Sequence, residues 1–253
     1  MKLARVACSG AVHEATDAGG DTLRLADGRL VRAEEAVWLP PFRPRTILAL
    51  GLNYADHAKE LAFGAQDEPL VFLKGPNALV GHRAQTRRPA DATFMHYECE
   101  LAVVIGRRAR RVPRAEAYDY VAGYTVANDY AIRDYLENWY RPNLRVKNRD
   151  GCTALGPWLV ERGDVPDPMK LGLRTTVNGK VTQEGNTQDM ISDIPFLIEY
   201  LSGFMTLDAG DVILTGTPEG VVDVRPGDEV ATEIEGIGRL VNYIVGDDVF
   251  ELH

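Results

Sequence analysis

Two glutamates inside an apolar run pose the chemical question. The stretch HYECELAVVI (96–105) carries Glu98 and Glu100 in a segment with strand-like periodicity. Alternate side chains of a strand share a face, so His96, Glu98, Glu100, Ala102 and Val104 are predicted to point one way. Tyr97, Cys99, Leu101, Val103 and Ile105 then point the other way, into a core. Two carboxylates roughly 6 to 7 Å apart repel by about 2 to 3 kcal/mol at an effective dielectric near 20. Solvent dissipates that repulsion on a wet face, the ordinary fate of an isolated Glu-x-Glu; on an enclosed face it becomes attraction for a shared cation. Asp129 ends a second apolar run, YVAGYTVAND, from which a third carboxylate can converge on the same point. Three carboxylates without His or Cys companions describe a hard-cation site with positions left for water and substrate. That donor set favours Mg²⁺ or Mn²⁺ over Zn²⁺ and also admits Ca²⁺.

Other constellations could serve such a centre. In GLNYADHAKE, His57 and Glu60 stand one helical turn apart and can form a base oriented by a carboxylate, or can be ordinary polar residues of an exposed helix. LTGTPEG (214–220) reads as a strand ending in a turn whose glycines admit a ligand, with Thr215 and Thr217 as hydroxyl donors. Lys74 ends the apolar run PLVFLK, Arg133 follows Asp129, and Arg141, Arg145, Lys147 and Arg149 crowd RPNLRVKNRDG. Two or three of these cations turned inward would hold a multiply charged acid. Tyr140 can also reach the site, whereas Tyr135 and Trp139 read as a core stripe.

The elements that must position these residues are mostly strands. Residues 1–45 read as a small β appendage, closed by the proline-rich WLPPFRPR, and residues 46–253 as the catalytic unit. Beyond that boundary strand-like runs dominate, VNGK is a hairpin signal, and helical patterns are confined to ADHAKELAF, AIRDYLENWY and ISDIPFLIEYLSGFM. Strands that outnumber helices without alternating with them argue for an α+β, strand-rich fold built on a bent sheet.

A chain of 253 residues with 45% hydrophobic and 26% charged residues can bury a large core. Its net charge of -9 opposes nucleic acid and anionic membranes, so GRRARRVPR (106–114) is read as a solvated turn. Cys8, Cys99 and Cys152 are too few and too scattered for a disulfide framework, which fits a reducing cytoplasm, and no run has the apolar length of a membrane span.

In this order, GLNYADHAKE, FLKGPNALVG, HYECELAVVIG, GYTVANDYAIRDYLENWYRPNLRVKNRDG, LRTTVNGKVTQEGNTQDMI, LTGTPEGV and GDEVATEIEGIGRL resemble the fumarylacetoacetate hydrolase superfamily over roughly 46–246. The long RDYLENWYRPNLRVKNRDG looks like its homoprotocatechuate branch, which combines 5-oxopent-3-ene-1,2,5-tricarboxylate decarboxylase with 2-hydroxyhepta-2,4-diene-1,7-dioate isomerase activity. The resemblance implies a mixed β-roll, a homodimer, and Mg²⁺ or Mn²⁺ on Glu98, Glu100 and Asp129. It further implies that His57 and Glu60 fall on the pair with which hydrolase members activate water, that Lys147 is a substrate-side lysine and that Thr217 contacts a substrate carboxylate or carbonyl. In a decarboxylase or isomerase the His57–Glu60 pair is expected to move a proton instead, and the residues themselves add Lys74, Arg133 and Tyr140 as substrate-binding candidates. His96 stands where several hydrolase members have an acid, so the hydrolytic branch fits less well. An acylpyruvate or fumarylacetoacetate-type hydrolase, an oxaloacetate decarboxylase, or a metal-stabilised binding protein for di- or tricarboxylates are the competing readings. Product analysis or a lack of turnover separates them.

Overall fold

The computed structural model describes residues 1–56, 68–136 and 144–250. Five strands open the chain: β1 (Lys2–Cys8), β2 (Ala11–Gly19), β3 (Thr22–Leu25), β4 (Leu30–Arg32) and β5 (Val37–Leu39). They enclose Val6, Leu23, Leu25 and Trp38 in a small core of their own. β1 also pairs with β14 (Thr153–Glu161), so these strands extend the main sheet and are not detached from it.

From that junction the large sheet runs through β12 (Val121–Asp129), β11 (Cys99–Ile105), β17 (Val212–Leu214) and β6 (Ile47–Gly51) to an edge at β7 (Leu70–Lys74), and a short β8 (Leu79–Val80) also joins β14. A second, five-stranded sheet is ordered β16 (Lys180–Asn186), β15 (Gly172–Val177), β18 (Glu229–Ile234), β19 (Gly238–Val245) and β9 (Gln85–Arg87). A two-stranded ribbon pairs β10 (Met95–His96) with β13 (Ala131–Ile132). Most pairs are antiparallel, but β17–β6, β14–β8 and β19–β9 are parallel, so the fold is mixed and strand-rich as the sequence predicts.

Local chemistry explains several elements. The β15–β16 turn is Asn178-Gly179, both at positive φ (51° and 77°), which matches the twist of the flanking strands. Helix α2 (Ile194–Phe204) begins where Asp193 accepts the Phe196 amide at 2.8 Å with Pro195 in its first turn, and it buries Leu197, Ile198 and Leu201. Arg110, in the basic run read as solvated, donates to the carbonyls of Ser202 and Gly203 at the other end of that helix. The shorter α1 (Leu144–Lys147) precedes it in the chain.

Two expectations are corrected. The run 96–105 is not one strand: His96 ends β10, β11 begins only at Cys99, and both faces of β11 are buried. The helix predicted over AIRDYLENWY begins instead as β13 and a single 3-10 turn, Arg133–Tyr135, because Ala131 and Ile132 satisfy their backbone on β10. Residues 137–140 of that pattern, and the helical pattern after Asp56, lie outside the described residues.

Candidate metal centre

Register places the acids. β11 pairs with β12 as Cys99 opposite Asn128 and Glu100 opposite Ala127. The amide of Asp129 then donates to the carbonyl of Glu98 at 2.9 Å, which carries the antiparallel alignment one residue further. Glu98, Glu100 and Asp129 therefore share one face at the end of two adjacent strands, while Cys99 and Asn128 occupy the other. One carboxylate oxygen from each acid lies within 4.8 Å of the others. Glu100 and Asp129 are fully enclosed, and the Glu98 side chain is 12% exposed.

Like charges this close repel by about 3 kcal/mol per pair even at an effective dielectric of 20. Two lysines offset part of that. Lys147 Nζ donates to Glu98 at 2.5 Å and to Asp129 at 2.9 Å, and Lys74, whose side chain has no exposure, forms an ion pair with the other oxygen of Asp129. Their approach is built locally: Asn148, just past α1, accepts the Gly75 amide and donates to the Leu73 carbonyl, fastening the α1 end to the end of β7. Burial penalises the Lys147 ammonium, but Asp129, Glu98 and Glu100 outweigh that penalty and raise its pKa.

Glu100 is the exception to this pairing. One oxygen accepts the Gly216 amide at 2.6 Å; the other, Oε1, is buried with no hydrogen-bond partner among the described residues. Burial above all, then Asp129 and Glu98, pushes its carboxyl well above the usual carboxylate range. An orphaned carboxylate oxygen on an acid that converges with two others is what a divalent cation would satisfy, so this donor set fits a hard ion.

The turn that holds Glu100 is itself clamped. Asn53 accepts the Ser192 amide at 2.8 Å and donates to the carbonyls of Ser192 and Thr215 at 3.0 and 2.9 Å. Gly216 adopts φ 87°, and an added Cβ would meet Asn53 Cβ at 2.9 Å, so both the backbone and the close approach require glycine here.

A cavity opens beside the acids. Glu98, Lys147, His96, Arg133 and Thr217 form its polar wall, and Leu50, Leu52, Leu70, Phe72, Leu136 and Val146 its apolar wall. Leu52 holds a left-handed backbone at φ 57°, a conformation a bulky residue adopts only when its surroundings impose it. His96 was not among the residues selected from sequence. Its Nε2 accepts from Arg133 Nε at 3.0 Å and its Nδ1 lies 3.2 Å from the Tyr97 carbonyl. An arginine can only donate and a carbonyl can only accept, so the imidazole is the Nδ1-protonated tautomer. The signal for this pair was the period-2 alternation that places His96 on the face of Glu98; its partner was hidden by the helical pattern around Arg133.

Of the candidates from sequence, Glu98, Glu100, Asp129, Lys147, Lys74, Arg133 and Thr217 gather at or beside this cavity. Thr215 instead donates to the Leu101 carbonyl inside the sheet. His57, Glu60 and Tyr140 lie outside the described residues.

The model of the fumarylacetoacetate (FAA) hydrolase C-terminal domain matches residues 46–245. The chain belongs to the fumarylacetoacetate hydrolase family. It is 57% identical over 224 residues to the homoprotocatechuate catabolism bifunctional isomerase/decarboxylase of Escherichia coli, which covers 88% of this chain. The chain spans 52% of that relative, about half its length. The crystal structure of 5-carboxymethyl-2-hydroxymuconate delta-isomerase from Mycobacterium smegmatis superposes with a TM-score of 0.86 at 39% identity, covering 98% of this chain and 99% of the other. Maleylpyruvate hydrolase from Sphingobium sp. SYK-6, in complex with manganese(II) and pyruvate, superposes with a TM-score of 0.82 at 27% identity, covering 97% and 99%. No described helix is long and apolar enough to cross a membrane.

Proposed function

We propose that this chain is a divalent-metal-dependent decarboxylase, isomerase or both, acting on a 2-oxo or 2-hydroxydienoic polycarboxylic acid in homoprotocatechuate breakdown. The observation that carries the reading is the convergence of three buried carboxylates, one of them with an unpartnered oxygen, beside a cavity walled by Lys147, Arg133 and Thr217. The relative from Escherichia coli and the isomerase from Mycobacterium smegmatis support it. On this reading residues 46–253 form the catalytic unit, residues 1–45 an appendage, and the enzyme works in the cytoplasm as a homodimer.

Glu98, Glu100 and Asp129 would hold Mg²⁺ or Mn²⁺. Bound there, such an ion supplies Lewis-acid stabilisation of the negative charge that builds on an enolate oxygen. Lys74, enclosed behind Asp129, pairs with that carboxylate and holds it in place, while Lys147 and Arg133 offer their charges to substrate carboxylates. Thr217 donates to a substrate oxygen, and Tyr140 borders the same substrate. The apolar wall from Leu50 to Val146 fits the unsaturated carbon chain and excludes water from it. His57, oriented by Glu60, moves the proton between carbons or returns it after CO₂ leaves.

Incubating the metal-loaded protein with a panel of 2-oxo and 2-hydroxydienoic acids, while following ultraviolet absorbance and CO₂, tests the reading. A shifted diene absorbance or released CO₂ is expected. Two carboxylic fragments would reassign the chain to C–C bond hydrolysis, and binding without turnover would make it a carboxylate-binding protein.

A further inference from the structure

A neutral chain of hydrogen bonds runs through the interior from the acid-bearing strands back to the cavity. Asn128 Oδ1 accepts the Glu98 amide at 3.1 Å, and Asn128 Nδ2 donates to Thr232 Oγ1 at 3.1 Å. Thr232 Oγ1 lies 3.3 Å from Thr175 Oγ1, Thr175 donates to Gln183 Oε1 at 3.2 Å, and Gln183 Nε2 donates to Thr217 Oγ1 at 2.9 Å. All five residues are essentially inaccessible to solvent.

The sense of this chain is fixed at both ends by backbone. The Glu98 amide can only donate, so it selects the oxygen of the Asn128 side chain and leaves the nitrogen to face Thr232. The Pro218 carbonyl can only accept, and it lies 2.8 Å from Gln183 Nε2, so the two amide hydrogens of Gln183 go to Pro218 and to Thr217. Between them, Thr232 receives a proton from Asn128 and passes its own to Thr175, which passes its own to Gln183. Every bond points the same way.

The last link has a consequence for the cavity. Thr217 Oγ1 accepts from Gln183, so its own hydrogen cannot lie on that line, and among the described residues no acceptor for it is recorded. Thr217 is 2% exposed and lines the cavity next to Lys147 and Arg133. A buried hydroxyl hydrogen without an acceptor is costly unless a ligand supplies one. We infer that Gln183 is a positioning residue that turns the Thr217 hydroxyl hydrogen into the cavity, so that this point of the site receives an acceptor oxygen of an anionic ligand, a carboxylate or enolate. The inference rests on the reading of the cavity as the substrate site and adds the residue that sets the polarity of its threonine.

Pyruvate binding to the Mn²⁺-loaded protein, measured by calorimetry for wild type, Gln183→Met, Thr217→Val and the double variant, tests it by a cycle. Each single change is expected to weaken pyruvate by about tenfold, the double variant by no more than Thr217→Val alone, and Mn²⁺ affinity to stay constant throughout. Thr217→Ser, which keeps the hydroxyl, should bind as wild type does. Losses that multiply in the double variant, or wild-type affinity in Gln183→Met, would overturn the assignment. Neutron diffraction from the deuterated wild-type protein decides the same point without a variant or a ligand. Deuterium on Thr217 Oγ1 directed into the cavity is expected, and deuterium directed at Gln183 refutes the proposal. Failure of wild type to bind pyruvate, with the deuterium in the cavity, would count against the proposed function and not against the role of Gln183.

Discussion

The two faces of the β11–β12 pair, one residue apart in each strand, are built on opposite rules. On one face Glu98, Glu100 and Asp129 bring three carboxylates and two ammoniums together, and still leave Glu100 Oε1 unpartnered among the described residues. On the other face Asn128 starts a chain of neutral side chains in which every side-chain oxygen and nitrogen has a partner. The same strands therefore carry a chain whose heavy polar atoms are all partnered and a cluster of acids in which one carboxylate oxygen is not. A buried carboxylate oxygen short of partners is costly, and where two further carboxylates converge a cation is the group expected.

The contrast predicts how substitutions sort. Asp129→Asn strips the counter-charge from Lys74 and one of the two carboxylates from Lys147, which keeps Glu98, and leaving the buried Lys74 ammonium unpaired should cost about 3 to 5 kcal/mol, read as a lowered midpoint in urea unfolding. Glu100→Gln has the opposite expectation for the fold, because Glu100 has no cationic partner within hydrogen-bond distance among the described residues and its ionised form is penalised by burial. The metal-free variant should be as stable as wild type or more stable by up to about 2 kcal/mol in the same titration. Equal destabilisation by the two substitutions would erase the distinction between paired and unpaired acids.

On the neutral face, Thr232→Val removes one acceptor and one donor from a closed chain and should cost about 1 to 2 kcal/mol. Its Mn²⁺ affinity should match that of wild type. A loss of metal binding in this variant would show that the two faces are not separable.

The pH dependence gives the finest test. The Glu100 carboxyl is raised in the folded protein, so above the ordinary carboxylate pKa the unfolded chain has released a proton that the folded chain still holds. Metal-free protein should therefore lose stability as pH rises from that ordinary value until the raised pKa is passed, by at most about 1.4 kcal/mol per pH unit. Glu100→Gln should flatten this slope and Thr232→Val should leave it unchanged, which thermal unfolding across a pH series without metal will show.

Much of the charged face was legible in the sequence. A period of two and a strand ending in Asp129 suffice to bring three acids together, because antiparallel register is set locally by backbone geometry. Lys147 and Thr217 were visible as types of residue near the right motifs. The neutral face was not legible, since Gln183, Thr175 and Thr232 lie in the second sheet and meet Asn128 only through the packing of one sheet on the other. The His96–Arg133 pair was obscured for a different reason. AIRDYLENWY has helical spacing, but pairing of Ala131 and Ile132 with β10 overrides that local preference and brings Arg133 beside the imidazole.

The most direct test of the account is a Mn²⁺ titration of chelator-treated protein by calorimetry or electron paramagnetic resonance, in wild type and in Glu100→Gln. One ion per chain is predicted for wild type. Glu100→Gln should weaken it by more than the roughly 100-fold that loss of an outer-shell partner costs. Absence of a stoichiometric site in wild type, or equal affinity in both proteins, would contradict the claim that Glu98, Glu100 and Asp129 are gathered to hold a cation.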